Sequence, residues 1–405
     1  MKREKIQYKN NIPVRFLNKN KIRNNIPFIR NSLKKILEEI DKKKDIFHLL
    51  SRSFKLNSNT TYLKKFTKYN QIVLFGMGGS ILGTKAIYSF LQHKIKKKVI
   101  FFDNLDQYQI EKFSKNEISK KNLFIIVSKS GNTVETLTNL NLIKKNKLNS
   151  SNTIVITEKK QNALNKFSKK KNILTIEHKS FIGGRYSVLS DVGMVPAYLM
   201  GLSISKIRKN LLFFKKKSKR LFLAKEISKI SQIYLSKKIN SIIFFNYCPE
   251  LNDFVFWCQQ LMAESLGKKK KGLMPVFSPA PRDHHSLLQL YLDGPQDKMF
   301  YVLSSSGNKK LRIKQNLFGQ EFNCFSKKEL NKIKIAQKNA FIEVLKRKKI
   351  PYREVEVKEI NEEVLGELFA HFIIEVTMIA KLIGVNAFNQ PAVEEVKLLT
   401  KKNLS

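Results

Sequence analysis

Five short stretches of the 405-residue chain gather the residue types that acid–base and anion chemistry need. In Trp257–Gly267 (WCQQLMAESLG), Gln260 and Glu264 stand four apart and share one face of a helix. Leu261, Met262 and Ala263 surround the carboxylate with apolar groups. A partly desolvated carboxylate is a candidate general base; the plainer alternative is a solvated glutamate near a helix end. Ser128-Lys129-Ser130-Gly131-Asn132-Thr133 offers three hydroxyls and one ammonium in six residues. That set suits anionic oxygens, or else a local turn with a helix cap. Gly183-Gly184-Arg185 combines close backbone approach with a fixed guanidinium fork, and could equally be a surface loop. Asp283-His284-His285-Ser286 pairs two histidines. Adjacent residues rarely both face one metal and no nearby cluster completes a ligand set, so no metal is expected. The last stretch, Gln390 to Lys397 (QPAVEEVK), brings an amide, two carboxylates and an ammonium.

These groups need a frame, and Gln71–Gln92 (QIVLFGMGGSILGTKAIYSFLQ) shows its type. A β-branched apolar run is followed by Gly76, Gly78, Gly79 and Gly83 around Ser80, then by apolar residues at helical spacing with Thr84 as the expected N-cap. Strand, glycine loop and helix N-terminus make a cradle for an anion, most simply a phosphate. No Gly-Lys-Ser/Thr ends the loop, and its spacing is not that of a dinucleotide fingerprint, Asp103 being the nearest acidic candidate. A βα turn without a ligand is the alternative.

Further apolar runs at Lys98–Phe102, Asn122–Val127, Thr153–Thr157 and Ile173–Ile176 alternate with helical patterns, one of them over Thr136–Lys144. A second series follows at Ser241–Tyr247, Met299–Ser304 and Pro351–Val357. Alternation of this kind predicts α/β architecture with two doubly wound parallel-sheet lobes forming a three-layer αβα architecture. The boundaries read as a helical N-terminal segment over 1–65, a first lobe over 66–205, a helical connector over 206–235, a second lobe over 236–365 and a C-terminal helical arm over 366–405. No internal repeat can be quoted residue by residue. The Lys268–Lys271 run reads as solvated.

Composition narrows the function classes. The net charge is +45, but lysine is spread along the chain and Asn, Ile and Phe are abundant too. All four share codons rich in A and T, so biased base composition explains them together, whereas nucleic-acid binding explains lysine alone. No specific nucleic-acid partner is expected, although a positive field would attract an anionic substrate. No apolar run is long enough for a membrane span, and the N-terminal charges lack a following hydrophobic stretch, so neither a membrane partner nor a secretory signal is expected. Three cysteines, with no CxxC, fit a reducing, cytoplasmic location.

In order along the chain, GMGGSILG, SKSGNTVET, GGRYSVLSDVG, QQLMAESLGK, DHHSLLQLYLDGP and FNQPAVEEVK resemble the phosphoglucose isomerase family from about residue 70 to 400. That resemblance implies two sugar-isomerase (SIS) lobes, interconversion of an aldose and a ketose hexose 6-phosphate, and no cofactor. It implies substrate contacts from Gly79, Ser80, Gly184, Gln260 and Gln390, and a phosphate loop of Ser128, Lys129, Ser130 and Thr133. It makes Glu264 the catalytic base, Arg185 the cation beside the enediolate, His285 rather than His284 the catalytic histidine, and Lys397 the lysine near the ring oxygen. His285 in this family serves the partner subunit's site, which implies a homodimer. The chain departs from the family at Asn389 and Ala392, where Asp and Gly are usual. A bifunctional glucose/mannose isomerase and a non-catalytic sugar-phosphate regulator are the rival readings.

Overall fold

The computed structural model describes residues 4–42, 44–116, 121–143, 147–307 and 311–404. The strands are β1 (Ile6–Asn11), β2 (Gln71–Phe75), β3 (Lys98–Phe102), β4 (Asn122–Val127), β5 (Thr153–Thr157), β6 (Leu174–Glu177), β7 (Ser241–Asn246), β8 (Met274–Pro279), β9 (Lys298–Ser305) and β10 (Tyr352–Val357). They form two sheets, ordered β3-β2-β4-β5-β6 and β8-β7-β9-β10-β1. The first is wholly parallel.

Both faces of each sheet are covered, which is why the central strands are continuously apolar rather than alternating. Ile72 and Leu74 of β2 face one core while Val73 and Phe75 face another. In β7, Ile242 and Phe244 join that same first core, whereas Ile243 and Phe245 face a third. The shared core contains the helices Leu82–Leu91, Lys217–Leu235, Asn252–Leu266 and Glu362–Ile383. A common helix layer thus lies between the two sheets. Across it, Leu82–Leu91 packs along Asn252–Leu266. These are the first crossover helices of the two sheets.

Two features differ from the sequence reading. The N-terminal segment is not helical throughout. It has its long helix, Lys19–Glu39, but opens with β1, which pairs antiparallel with β10 and gives the second sheet a mixed edge. β8 also went unread, because its two prolines, Pro275 and Pro279, mask a strand pattern. A buried polar cluster fastens β1: Arg353 on β10 is fully buried and donates to Glu375 and pairs with His371 at 3.0 Å, while Tyr8 of β1 stacks on His371 at 4.1 Å. Burial alone would raise the Glu375 carboxyl, but the Arg353 and His371 charges hold it at about 2. Removing one partner of such a buried pair costs about 3–5 kcal/mol. Elsewhere the helix expected over Thr136–Lys144 is observed as Val134–Asn141, and Lys144 lies outside the described residues.

Among the described residues, no helix is long and apolar enough to cross a membrane, and no group of His, Cys, Asp and Glu is placed to hold a metal ion.

Candidate active site

In the first sheet, β2 connects outward to β3 on one side and the chain then returns to β4 on the other. A parallel sheet opens a crevice where its winding reverses in this way, beyond the carboxyl ends of the strands. The glycine loop follows β2 and the Ser128–Thr133 loop follows β4, so both flank that crevice.

Each loop has a local cause. Gly78 takes φ +51°, and Gly79 lies so close to Gly184 that an added Cβ would stand 2.2 Å from the Gly184 carbonyl carbon. Ser80 ends this turn, half-buried. Thr84 is not the cap expected from the sequence. The helix begins at Leu82, and the Thr84 hydroxyl instead donates to Val192 O at 3.3 Å. In the second loop Gly131 takes φ +69°, which lets the hydroxyls of Ser128 and Thr133 meet at 2.8 Å, with Ser130 and Thr133 at 3.5 Å. Lys129 is drawn aside. Its ammonium donates to Ser180 O and Ile182 O, both at 2.9 Å, and lies 3.5 Å from Glu158. Here Lys129 ties the hydroxyl loop to the strand exit that leads to Arg185. His178, beside this tie, is pushed down to about 4 by burial and by the Lys129 charge.

Arg185 is the hub. It is 2% exposed, and all five N–H donors are engaged. Nε donates to Ser265 Oγ at 2.9 Å, Nη1 to Glu264 Oε2 at 2.9 Å and to Gln390 Oε1 at 2.6 Å, and Nη2 to Asn389 O at 3.2 Å and to Ala387 O. Trp257 Nε1 donates to the Arg185 carbonyl at 3.1 Å. A circuit closes behind it: Ser265 Oγ and Tyr186 OH meet at 2.8 Å, and Tyr186 donates to Ala387 O at 2.9 Å. Burial raises the Tyr186 phenol above its ordinary value, so it stays a donor. Glu264 is a quarter exposed, its other oxygen accepting from Gln260 Nε2 at 2.9 Å. Gln260 Oε1 is buried without a partner among the described residues, an acceptor in want of a hydroxyl. Position 389 contributes its carbonyl to Arg185, so the Asp-to-Asn departure leaves that bond intact.

The structure therefore brings Gly79, Gly184, Arg185, Gln260, Glu264 and Gln390 together, with Ser80 and the Ser128–Thr133 loop alongside. It does not join His285 or Lys397 to them. His285 is exposed, and Lys397, on the exposed helix Pro391–Leu404, pairs with Glu394 at 2.8 Å. His284 is structural: it meets Tyr247 OH at 2.6 Å and stacks on Phe245. Sequence reasoning passed over Ser265, Tyr186 and Trp257. Ser265 carried a signal, standing next to Glu264, but a buried serine and a solvated one look alike in a sequence. The lysine run read as solvated is exposed at Lys269, Lys270 and Lys271, with Lys268 half-buried, but two of its ammonium groups also find carbonyl partners. Lys268 donates to Glu264 O and to Ser265 O, and Lys271 to Ile383 O at 2.7 Å.

The chain resembles known proteins along its whole length. The phosphoglucose isomerase family profile matches residues 1–405. A glucose-6-phosphate isomerase of Methanocaldococcus jannaschii is 34% identical over 349 residues, 84% of this chain and 86% of that one. Another from Mycoplasmopsis synoviae is 32% identical, covering 82% and 81%. Among solved structures, a hypothetical protein of Thermus thermophilus superposes with TM-score 0.82 at 23% identity, covering 98% of this chain and 100% of its own. A glucose-6-phosphate isomerase of Chlamydia trachomatis gives 0.77 at 17%, covering 99% and 88%. These last two share the fold. On a match that runs from end to end, the chain belongs to the phosphoglucose isomerase family.

Proposed function

We propose that the chain interconverts glucose 6-phosphate and fructose 6-phosphate, as a glycolytic and gluconeogenic isomerase of a reducing, cytoplasmic compartment. The observation that carries this is Glu264, with one oxygen on Arg185 and the other on Gln260, beside a switch-point crevice lined by hydroxyls. The free cysteines support the compartment.

Ser128, Ser130 and Thr133, with Ser80, hold the phosphate. Fixing that end places C1 and C2 over Glu264, and such orientation removes much of the entropic barrier. Glu264 takes the C2 proton and returns it to C1 through a cis-enediolate. Arg185 offsets the enediolate's charge. Its five donors are already committed, so it acts through its field and by aiming Glu264. Gln260 Oε1 accepts a sugar hydroxyl. His285 of a second copy and Lys397 move the proton at the ring oxygen. That His285 is exposed and outside the single-chain cluster supports its serving a second copy.

The test is turnover of fructose 6-phosphate by the purified protein. Glu264→Gln is expected to lower kcat by about 10³-fold or more while phosphosugar still binds; wild-type-like activity refutes the assignment. Mixing inactive Glu264→Gln with inactive His285→Ala is expected to restore activity up to roughly a quarter of wild type, as mixed dimers regain one intact site. Mixed dimers without activity refute the shared site.

A further inference from the structure

The turn after the Glu264 helix joins two helix ends that no chain neighbourhood would bring together. A helix C-terminus presents carbonyls without intrahelical partners and a negative dipole end, and an ammonium satisfies both. Lys268 Nζ does this for the helix Asn252–Leu266, at Glu264 O and at Ser265 O 3.0 Å away. Three residues on, Lys271 Nζ does it for the helix Glu362–Ile383, at Ile383 O. The first helix carries Gln260, Glu264 and Ser265. The second runs out into Ala387, Asn389 and Gln390. Those two sets are the two sides of the Arg185 hub.

The turn is built for the task. Lys269 and Lys270 both take positive φ, 52° and 57°, and Gly272, at φ +112°, packs so that an added Cβ would stand 2.8 Å from Gly267 Cα. Lys271 N closes it on Lys268 O at 2.9 Å. Lysine in the left-handed region is strained, so the backbone spends conformational energy to send residues 268 and 271 toward different helices. The Lys268 ammonium is held there against its own desolvation. Burial, and then the Arg185 charge, push it down to about 8, with Glu264 opposing.

We propose that Lys268 and Lys271 are positioning residues, a two-point clamp that fixes the distance between the Glu264 side and the Gln390 side of the Arg185 hub. This rests on Glu264 being the base, as proposed above. Because Glu264 must meet C2 closely, a shift of about an ångström costs rate more than affinity.

The experiment pairs steady-state kinetics with amide hydrogen exchange on the full-length protein, so the clamp is judged even if wild type lacks the isomerase activity, a result that overturns the functional reading alone. Lys268→Met is expected to lower kcat about tenfold with KM for fructose 6-phosphate within about twofold. Amides of the last turn before Gly267 and of 385–390 should exchange about tenfold faster. Lys268→Arg should recover most of the rate, and Lys269→Asn, whose site tolerates a left-handed residue, should leave both readouts unchanged. Unchanged exchange in Lys268→Met overturns the clamp, and so does faster exchange with unchanged kcat in an active enzyme. If Lys268→Met does not fold, Lys271→Met decides, with the same selective loss of kcat expected and full activity overturning the proposal.

Discussion

The two sheets wind identically and end differently. Strands β3-β2-β4-β5 of the first correspond in order and direction to β8-β7-β9-β10 of the second. Both therefore have a switch-point crevice. In register, Gly76 corresponds to Asn246 and Val127 to Leu303, so Ser128-Lys129-Ser130-Gly131 falls opposite Ser304-Ser305-Ser306-Gly307. In the first sheet, glycines leave the crevice to hydroxyls. In the second, the chain fills it itself. Asn246, 1% exposed, folds its amide onto Cys248 O and Asn252 Oδ1, both at 2.8 Å, and accepts from Cys248 N at 3.0 Å. Cys248 Sγ in turn contacts Glu250 Oε2 at 3.4 Å. The second lobe keeps the winding without the glycine-and-hydroxyl loop. Its contribution to the Arg185 cluster comes from the far end of the crossover helix, where Glu264 sits. On the function proposed above, one lobe would grip the phosphate and the other would supply the base.

That division can be broken at matched positions. The largest effect is expected at Gly79. Its Cβ would meet the Gly184 carbonyl carbon at 2.2 Å, and backbone cannot yield cheaply. Gly79→Ala should cost about 3 kcal/mol or more in urea unfolding and abolish fructose 6-phosphate binding in calorimetry. Its counterpart Pro249→Ala should cost less than about 1 kcal/mol. Equal costs would mean that the two crevices are built alike.

Gly131 and Gly307 give a finer version. Gly131 has φ +69°, and its Cβ would stand 2.1 Å from Asn162 Oδ1, the acceptor for Asn165 N. Gly131→Ala is expected to cost roughly 1–3 kcal/mol and to raise KM, through strain and loss of that cap. Gly307 lacks a positive φ, and its nearest neighbour would be the Ser305 hydroxyl at 3.0 Å. Gly307→Ala should change stability by less than about 1 kcal/mol and leave KM untouched.

The smallest effect concerns pH. His178 is buried neutral in the first lobe, its folded value about 4 against an ordinary 6.5. Stability from this group is complete above pH 6.5 and is lost as pH falls toward the folded value, because the unfolded chain takes the proton first. The loss by about pH 4.5 is roughly 2 kcal/mol. Denaturant titrations of wild type and His178→Leu at neutral and acid pH should show the wild type losing that much more.

Much of this was legible in the sequence. The central strands announced themselves because burial on both faces demands continuous apolar runs. Glu264, Arg185 and the two hydroxyl-bearing loops stood out because few residue types perform their chemistry. What stayed hidden depends on distant partners. β1 is a polar strand that exists because β10 offers an edge and Arg353 a buried charge to cover. Lys268 and Lys271 looked solvated because a lysine bound to a carbonyl far along the chain carries no local mark. The correspondence of the two windings escaped for a related reason: SKSG and SSSG are alike at three of four residues, and only strand register shows that the likeness is structural.

The β1–β10 pairing has a consequence for how the protein is made. Every strand of the first sheet lies between residues 71 and 177, so that lobe can close while the rest is still being translated. The second sheet cannot. Ile6 of β1 pairs with Val357 of β10, more than three hundred residues further along the chain. At roughly 5–20 residues per second, β1 waits on the order of tens of seconds with an unpaired edge. Lys5 beside the strand and Lys9 within it suit that interval, since charge on an open edge discourages pairing with a neighbouring chain.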